Sequence, residues 1–231
     1  MNAEESKVIR ISTDQTDLIL KVGENGRLYQ TYLGEKLLHE ADVNRFSWDI
    51  HAGSDGSISQ RGWEVYSGSG NEDYFEPAVA ITHNDGNTST YLYYVSSSTS
   101  PVEGGTQTTI NLRDDKYPVD VTLHYVAYPK ENVIKTWSEI KHQEKKPIIL
   151  STYASTMLYF CRSSYYLTEF SSDWAKEARM SSQQLQFGKK VIDTKLGSRA
   201  AMHTHPSSKW DWISRQRKSG GCPDGNTGMD R

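Results

Sequence analysis

Apolar and polar positions alternate with a period of two along most of this chain, the spacing that puts every second side chain on one face of a strand. VIRIS (8–12), DLILKV (17–22) and LYQTYLG (28–34) are short, rich in branched or aromatic residues, and split by turn signals such as Gly23-Glu24-Asn25-Gly26. PAVAITH (77–83) and TYLYYVSS (90–97) flank Asn84-Asp85-Gly86-Asn87. Gly and Asn tolerate the positive φ of a hairpin turn, so these two runs are expected to pair. TQTTINLRDD (106–115), PVDVTLHYVAYP (118–129) and NVIKTWSEIKH (132–142) follow at close spacing. In the second of these, Val119, Val121, Leu123, Tyr125 and Ala127 share one face, and Asp120, Thr122, His124 and Val126 the other. IILSTYASTMLYF (148–160) is long and apolar enough to predict a central strand. WAKEARMSSQQL (174–185) is the one helix candidate, but Glu177 and Arg179 fit the outer side of a strand, and it is read as one. No segment sustains a helical period over three turns, and no internal repeat stands out. Many short strands with regular turns predict an all-β sandwich or barrel.

Two stretches break the alternation. Residues 47–75 hold many Gly, Ser and Asp residues and no helical period. Loops of that size in compact domains are usually functional or disordered. From Ser207 onward the chain has few aliphatic residues and several Gly, Pro and charged ones. Such a segment buries too little apolar surface to offset its chain entropy. A boundary is therefore expected near Pro206, with residues 1–206 as the domain and 207–231 as a loose tail.

Charge and cysteine usage narrow the setting. The chain has 231 residues and a formal net charge of -3. That balance speaks against nucleic acid or an anionic membrane surface as the main partner. The polar start MNAEESKVIR lacks the apolar run of a signal peptide, and nothing approaches the length of a spanning helix. Cys161 and Cys222 do not make a disulfide framework, which fits a reducing, cytoplasmic setting.

Candidate chemistry is sparse. Asp114-Asp115 are adjacent, so on a strand they point to opposite faces. With Lys116, Tyr117 and Pro118 they read as a turn. His203 and His205 share a face at chelating distance. Zinc wants three or four ligands, however, and Cys222 is the only other His or Cys nearby in sequence. The bland reading is a strand-end pair, and no metal is expected. Cys161 reads as a buried structural thiol. Neither a glycine-rich phosphate loop nor a nucleophile elbow is present. The aromatics are more informative. Trp48, Trp63, Tyr66, Tyr74 and Phe75 cluster in or beside the long loop with Asp49, Asp55, Arg61 and Asp73. Flat rings stack on sugar C–H faces while carboxylates and guanidinium bind hydroxyls. The competing reading is that the tryptophans anchor an irregular loop to the sheet.

Longer blocks carry a resemblance. YSGSGNEDYFEPAVAI is similar to a Tyr-x-x-x-Gly-x-x-Asp-Phe-x-x-Pro-Ala segment, with Tyr74 at the aromatic position. SSSTSPVEGG and the run from Thr106 to His142 look like Thr-x-Thr-Leu, Leu-x-Asp, Val-x-Leu-x-Tyr and Asp-Val-Ile-x-Arg blocks, with Lys135 where Arg is usual. Residues 165–206 resemble a stretch with Trp174 and Glu177 on its Trp and Glu, and His203 and Pro206 on its His and Pro. In this order, from about Gly34 to Pro206, the blocks resemble the N-terminal domain of glycoside hydrolase family 36, the bacterial α-galactosidases.

The resemblance implies a large antiparallel β-supersandwich of the galactose-mutarotase-like kind. In the family it precedes a TIM barrel that carries two aspartates and releases terminal non-reducing α-D-galactose with retention. None of that barrel is in these residues. The family pattern also continues for several strands past the position of Pro206, so the sandwich is expected to be incomplete at its C-terminal strands. A missing strand leaves an unpaired edge. The chain is thus expected to be a truncated domain, catalytically silent alone, with no catalytic residue and no cofactor. Its expected roles are pocket shaping and assembly of a homo-oligomer that takes an α-galactoside. In family tetramers the loop reaches a neighbouring subunit's pocket. On that analogy Asp49 and Arg61 are lent contacts, and Trp48 and Trp63 are walls. The alternative is a free-standing carbohydrate-binding or protein-interaction β-sandwich module.

Overall fold

The computed structural model describes residues 7–43, 63–70, 76–160, 165–173, 176–186, 189–192 and 204–205. The described residues up to Phe160 form one compact unit, and those after it a second. In the first unit, β1 (Val8–Ser12), β2 (Thr16–Val22) and β3 (Leu28–Glu35) make an antiparallel meander. A short helix, α1 (Glu40–Val43), follows. β4 (Val79–Thr82) pairs with β9 (Ile149–Tyr153). Between them in sequence, β5 (Leu92–Val102), β6 (Gly105–Asp114), β7 (Val119–Tyr128) and β8 (Val133–His142) make a four-stranded antiparallel sheet in sequence order. The second unit pairs β10 (Tyr166–Asp173) with β11 (Lys176–Gln184) and with β12 (Thr204–His205), all antiparallel. The all-β expectation holds, and residues 174–185 include a strand.

The core explains why the first unit is layered. Ile9, Ile11, Leu18, Leu20 and Leu28 of the meander share one cluster with Leu92, Ile110, Leu112, Val121 and Leu123 of the four-stranded sheet. Val79 and Ile81 of β4 join it. Two sheets therefore meet face to face over interdigitated aliphatic side chains, as in a sandwich. Val119, Val121, Leu123, Tyr125 and Ala127 are all buried, as the alternation along β7 predicts. The opposite face of the meander is covered too: Ile19 and Tyr32 pack with Val43 of α1. The Gly23–Gly26 turn closes as expected. Gly26 donates to the Gly23 carbonyl at 2.9 Å with φ of +76°, a conformation that glycine adopts without a Cβ penalty.

Two expectations are corrected. The turn at residues 83–87 forms: His83 N–H donates to the Asn87 carbonyl at 2.8 Å, and Gly86 sits at φ +89°. Yet it does not close a hairpin. One side of β4 is taken by β9. On the other, Val79 donates to Ser67 at 3.1 Å and accepts from Ser69 at 2.9 Å. With both sides of β4 occupied, β5 pairs instead with β6. The second correction concerns residues 148–160, expected to be a central strand. β9 spans only Ile149–Tyr153, every residue is exposed, and Ile149 and Tyr153 reach 64% and 67%. Hydrophobicity alone marked this run as interior, but among the described residues β9 pairs with β4 alone. Downstream, Ala154 and Met157 return to the core. Cys161, His203, the boundary at Pro206, and the tail with Cys222 lie outside the described residues.

Candidate functional site

Trp48, Asp49 and Arg61 lie outside the described residues, as do Asp55, Asp73, Tyr74 and Phe75. Trp63 and Tyr66 are described, and their geometry shows how the long stretch rejoins the fold. Gln30 N–H donates to the Trp63 carbonyl and Val65 N–H to the Leu28 carbonyl, both at 2.9 Å. Residues 63–65 thus extend the meander beyond β3, with Glu64 bridged to Tyr29. Gly68 then passes so close to Thr90 that a Cβ would lie 2.0 Å from its carbonyl oxygen. The Trp63 ring stacks on Tyr159, with planes 3° apart and centroids 5.5 Å apart. Tyr159 also donates its hydroxyl to the Glu64 carbonyl at 3.0 Å. Tyr66 is buried and donates to the Ala154 carbonyl at 2.7 Å; burial pushes its phenol pKa up. These two aromatics fasten the returning chain to the sandwich.

A polar residue inside an apolar strand completes the fastening. Gln30 donates from Nε2 to the Tyr159 carbonyl at 2.6 Å and accepts from the Tyr159 N–H at 3.1 Å. Its amide thereby copies a strand partner for a segment 129 residues away. Buried polar groups need such partners. The Gln in LYQTYLG was thus a usable signal, although the sequence does not name the partner.

Among the described residues, one buried titratable cluster is one that sequence reasoning missed. His83 Nδ1 lies 2.7 Å from Glu144 Oε1, and their side chains are 0% and 1% exposed. A carboxylate only accepts here, so Nδ1 donates. His83 Nε2 faces the Ser89 carbonyl and the Thr90 hydroxyl, each at 3.2 Å. Tyr117 stacks on the imidazole at 3.6 Å, and its hydroxyl donates to Asp85 at 2.9 Å. The other oxygen of Glu144 accepts from the Asn84 N–H at 3.0 Å and from Nδ2 at 2.6 Å. Burial pushes the Glu144 pKa up, but the hydrogen bonds from His83 and Asn84 outweigh it and hold the carboxyl below its usual range. A His–carboxylate pair is the usual orienting unit of a general base. Here both nitrogens are engaged, one ring face is covered, and no surface is left for a substrate. The cluster is a clasp: it ties the turn after β4 to the connection between β8 and β9 and to the β6–β7 turn.

Asp114 fulfils the turn reading in that same region. One carboxylate oxygen accepts from the Lys116 and Tyr117 N–H groups at 2.8 Å each, and the other accepts from Tyr91 N–H at 2.6 Å. Among the described residues, no group of three or more His, Cys, Asp and Glu could hold a metal ion, and no helix is long and apolar enough to cross a membrane.

Layered antiparallel sheets, with turns clasped at one end and an irregular segment sewn into the other layer, define a β-sandwich domain. Residues 26–208 match the glycosyl hydrolase family 36 N-terminal domain. The chain belongs to that family. Its fold is similar to that of an α-galactosidase from Lactobacillus brevis, at TM-score 0.67 and 19% identity. The α-galactosidase AgaA from Geobacillus stearothermophilus aligns at TM-score 0.68 and 21% identity, and the galactosidase domain of an α-galactosidase-sucrose kinase at 0.68 and 22%. Each alignment covers 79% of this chain and 28% of the other. The chain thus matches little more than a quarter of the length of these enzymes. No curated protein matches it.

Proposed function

We propose that the chain is the pocket-shaping and assembly domain of an α-galactosidase-like hydrolase. The parent activity is removal of terminal non-reducing α-D-galactose from oligosaccharides. The observation that carries this reading is the family match across residues 26–208, the span that includes the whole long loop. The stitched course of residues 63–70 supports it, because a lent side chain works only from a backbone that is held in place. In this reading Asp49 and Arg61 bond galactose hydroxyls in a neighbouring subunit's pocket. Trp48 forms part of its wall, and Trp63, held against Tyr159, fixes the end of that wall. The domain acts in the cytoplasm within a homo-oligomer, with neither nucleic acid nor membrane as partner. It contributes binding, and the two catalytic carboxylates come from the rest of the enzyme.

Grafting this chain in place of the matching N-terminal part of the Geobacillus enzyme tests the reading. The chimera is expected to hydrolyse a nitrophenyl α-galactoside, and the chain by itself is not. Asp49→Ala in the chimera removes a charged hydrogen bond to substrate, and kcat/KM should fall by about 10- to 100-fold. Unchanged kinetics would remove Asp49 from the site.

A further inference from the structure

The outer face of the four-stranded sheet carries an arrangement that none of this uses. Ser98, Thr109, His124 and Trp137 lie in register across β5, β6, β7 and β8. They point away from the core face that holds Ile110, Leu123 and Tyr125. Trp137 stacks on His124, with centroids 4.6 Å apart and planes 11° apart. His124 is held at one nitrogen: Gln107 Nε2 and Thr109 Oγ1 lie 3.2 and 3.3 Å from its Nδ1. Glu139 Oε1 lies 3.3 Å from its Nε2, which makes no hydrogen bond. The indole therefore lies flat on a supported ring. The Lys135 ammonium stands 5.3 Å from the indole centroid, on a flexible stem.

The neighbouring rungs lie about 7 Å away along the strands. One of them runs Ser96, Asn111, Thr122 and Glu139. In it Asn111 donates to Ser96 at 3.0 Å and accepts from Thr122 at 3.1 Å. Arg113 donates to Asp120 at 2.6 Å, and Glu139 shares its strand face with Lys135 and Lys141, so charges of both signs are interspersed here. The aromatic plane is bordered by hydroxyls, amides, a carboxylate and the Lys135 ammonium. A partner of strong net charge gains little here. A neutral polyol with a flat C–H face fits both features, because such a face stacks on an indole while Gln, Asn, Thr and Glu bond hydroxyls.

We propose that this sheet face is a binding site for a neutral pyranose oligosaccharide, with Trp137 as the platform and Gln107, Asn111, Thr122 and Glu139 as hydroxyl partners. The site does not rest on Asp49 or Arg61. The test is an NMR titration of the full chain with lactose and with maltotriose, following the indole N–H signals. The Trp137 signal is identified by its loss in Trp137→Ala. It should move saturably with at least one sugar, and Trp137→Ala should weaken binding about tenfold or more while the circular dichroism spectrum stays unchanged. Trp137→Phe keeps a smaller ring and should lose less, which covers the case of an alanine variant that fails to fold. Asp49→Ala should bind as wild type does, so failure of the lent-loop reading and failure of this one are distinguishable. A Trp137 signal that stays still with both sugars overturns the proposal. So does a Trp137→Ala variant with a dissociation constant within about twofold of wild type.

Discussion

Glu144→Gln is the sharpest probe of what holds the turn end of the sandwich together. Both carboxylate oxygens accept: one from His83, the other twice from Asn84. Glutamine has the same shape but only one accepting oxygen. Turned towards Asn84, the NH2 group faces two donors; turned towards His83, it requires the other imidazole tautomer, with Nδ1 accepting and Nε2 donating to the Ser89 carbonyl. In either case the charge that strengthens these bonds is lost, and a hydrogen bond to a charged group is worth about 1.5–3 kcal/mol. Breaking a buried pair by removing one partner costs about 3–5 kcal/mol, and the retained shape of glutamine recovers part of that. Unfolding at neutral pH should therefore be easier by about 1–3 kcal/mol in urea followed by circular dichroism.

The pH dependence gives a second, independent reading of the same group. The Glu144 carboxyl titrates below its ordinary 4.5 in the folded chain. Its contribution is thus fully present above 4.5 and is lost as pH falls through the lower, folded value. The stability gap between wild type and Glu144→Gln should be widest at neutral pH and shrink on acidification below about 4.5. Asp17, held low by Arg10, Ser12 and the Leu37 N–H against the upward push of burial, destabilises both proteins alike in acid and cancels in the difference. A gap under about 0.5 kcal/mol at neutral pH, the range of an ordinary surface substitution, would refute the clasp. A gap that widens in acid would refute the ionisation argument.

Two further substitutions test the packing. Gly68→Ala would push a Cβ to 2.0 Å from the Thr90 carbonyl oxygen, a backbone atom with no freedom to move aside. It should destabilise the fold by about 1–3 kcal/mol or more in urea, and wild-type stability would mean that residues 63–70 do not run against Thr90. Ile110→Ala removes a fully buried side chain at the centre of the sandwich. It should cost about 2–5 kcal/mol by the same assay, and a cost below about 1 kcal/mol would mean that the two sheets do not meet there.

Strand positions were legible because one buried face imposes a period of two, and period is a local property. β7 shows it best: alternate residues from Val119 to Ala127 line the core as the pattern requires. Pairing is not local. The turn after His83 reads as a hairpin from its own residues. What decides its neighbours is that Ser67–Ser69 already occupy one side of β4 and β9 the other. The same limit explains β9, since an apolar run reports the need for cover and not whether cover is present.

Site chemistry divides along the same line. The loop drew attention through the company its aromatics keep, and the described part resolves two of them. Trp63 and Tyr66 hold the chain to the sandwich, which favours the anchoring reading for those residues and leaves the lent-contact proposal to Asp49, Arg61 and Trp48. His83 and Glu144 are 61 residues apart, and each sits among turn-forming neighbours that account for it locally. Nothing in either neighbourhood asks for a partner. Gln30 differs, because an amide in the middle of an apolar strand is costly to bury without one. A polar residue that breaks a buried period is thus a readable request for a distant contact. A titratable residue in a turn makes no such request, and the His83–Glu144 cluster was silent in the sequence for that reason.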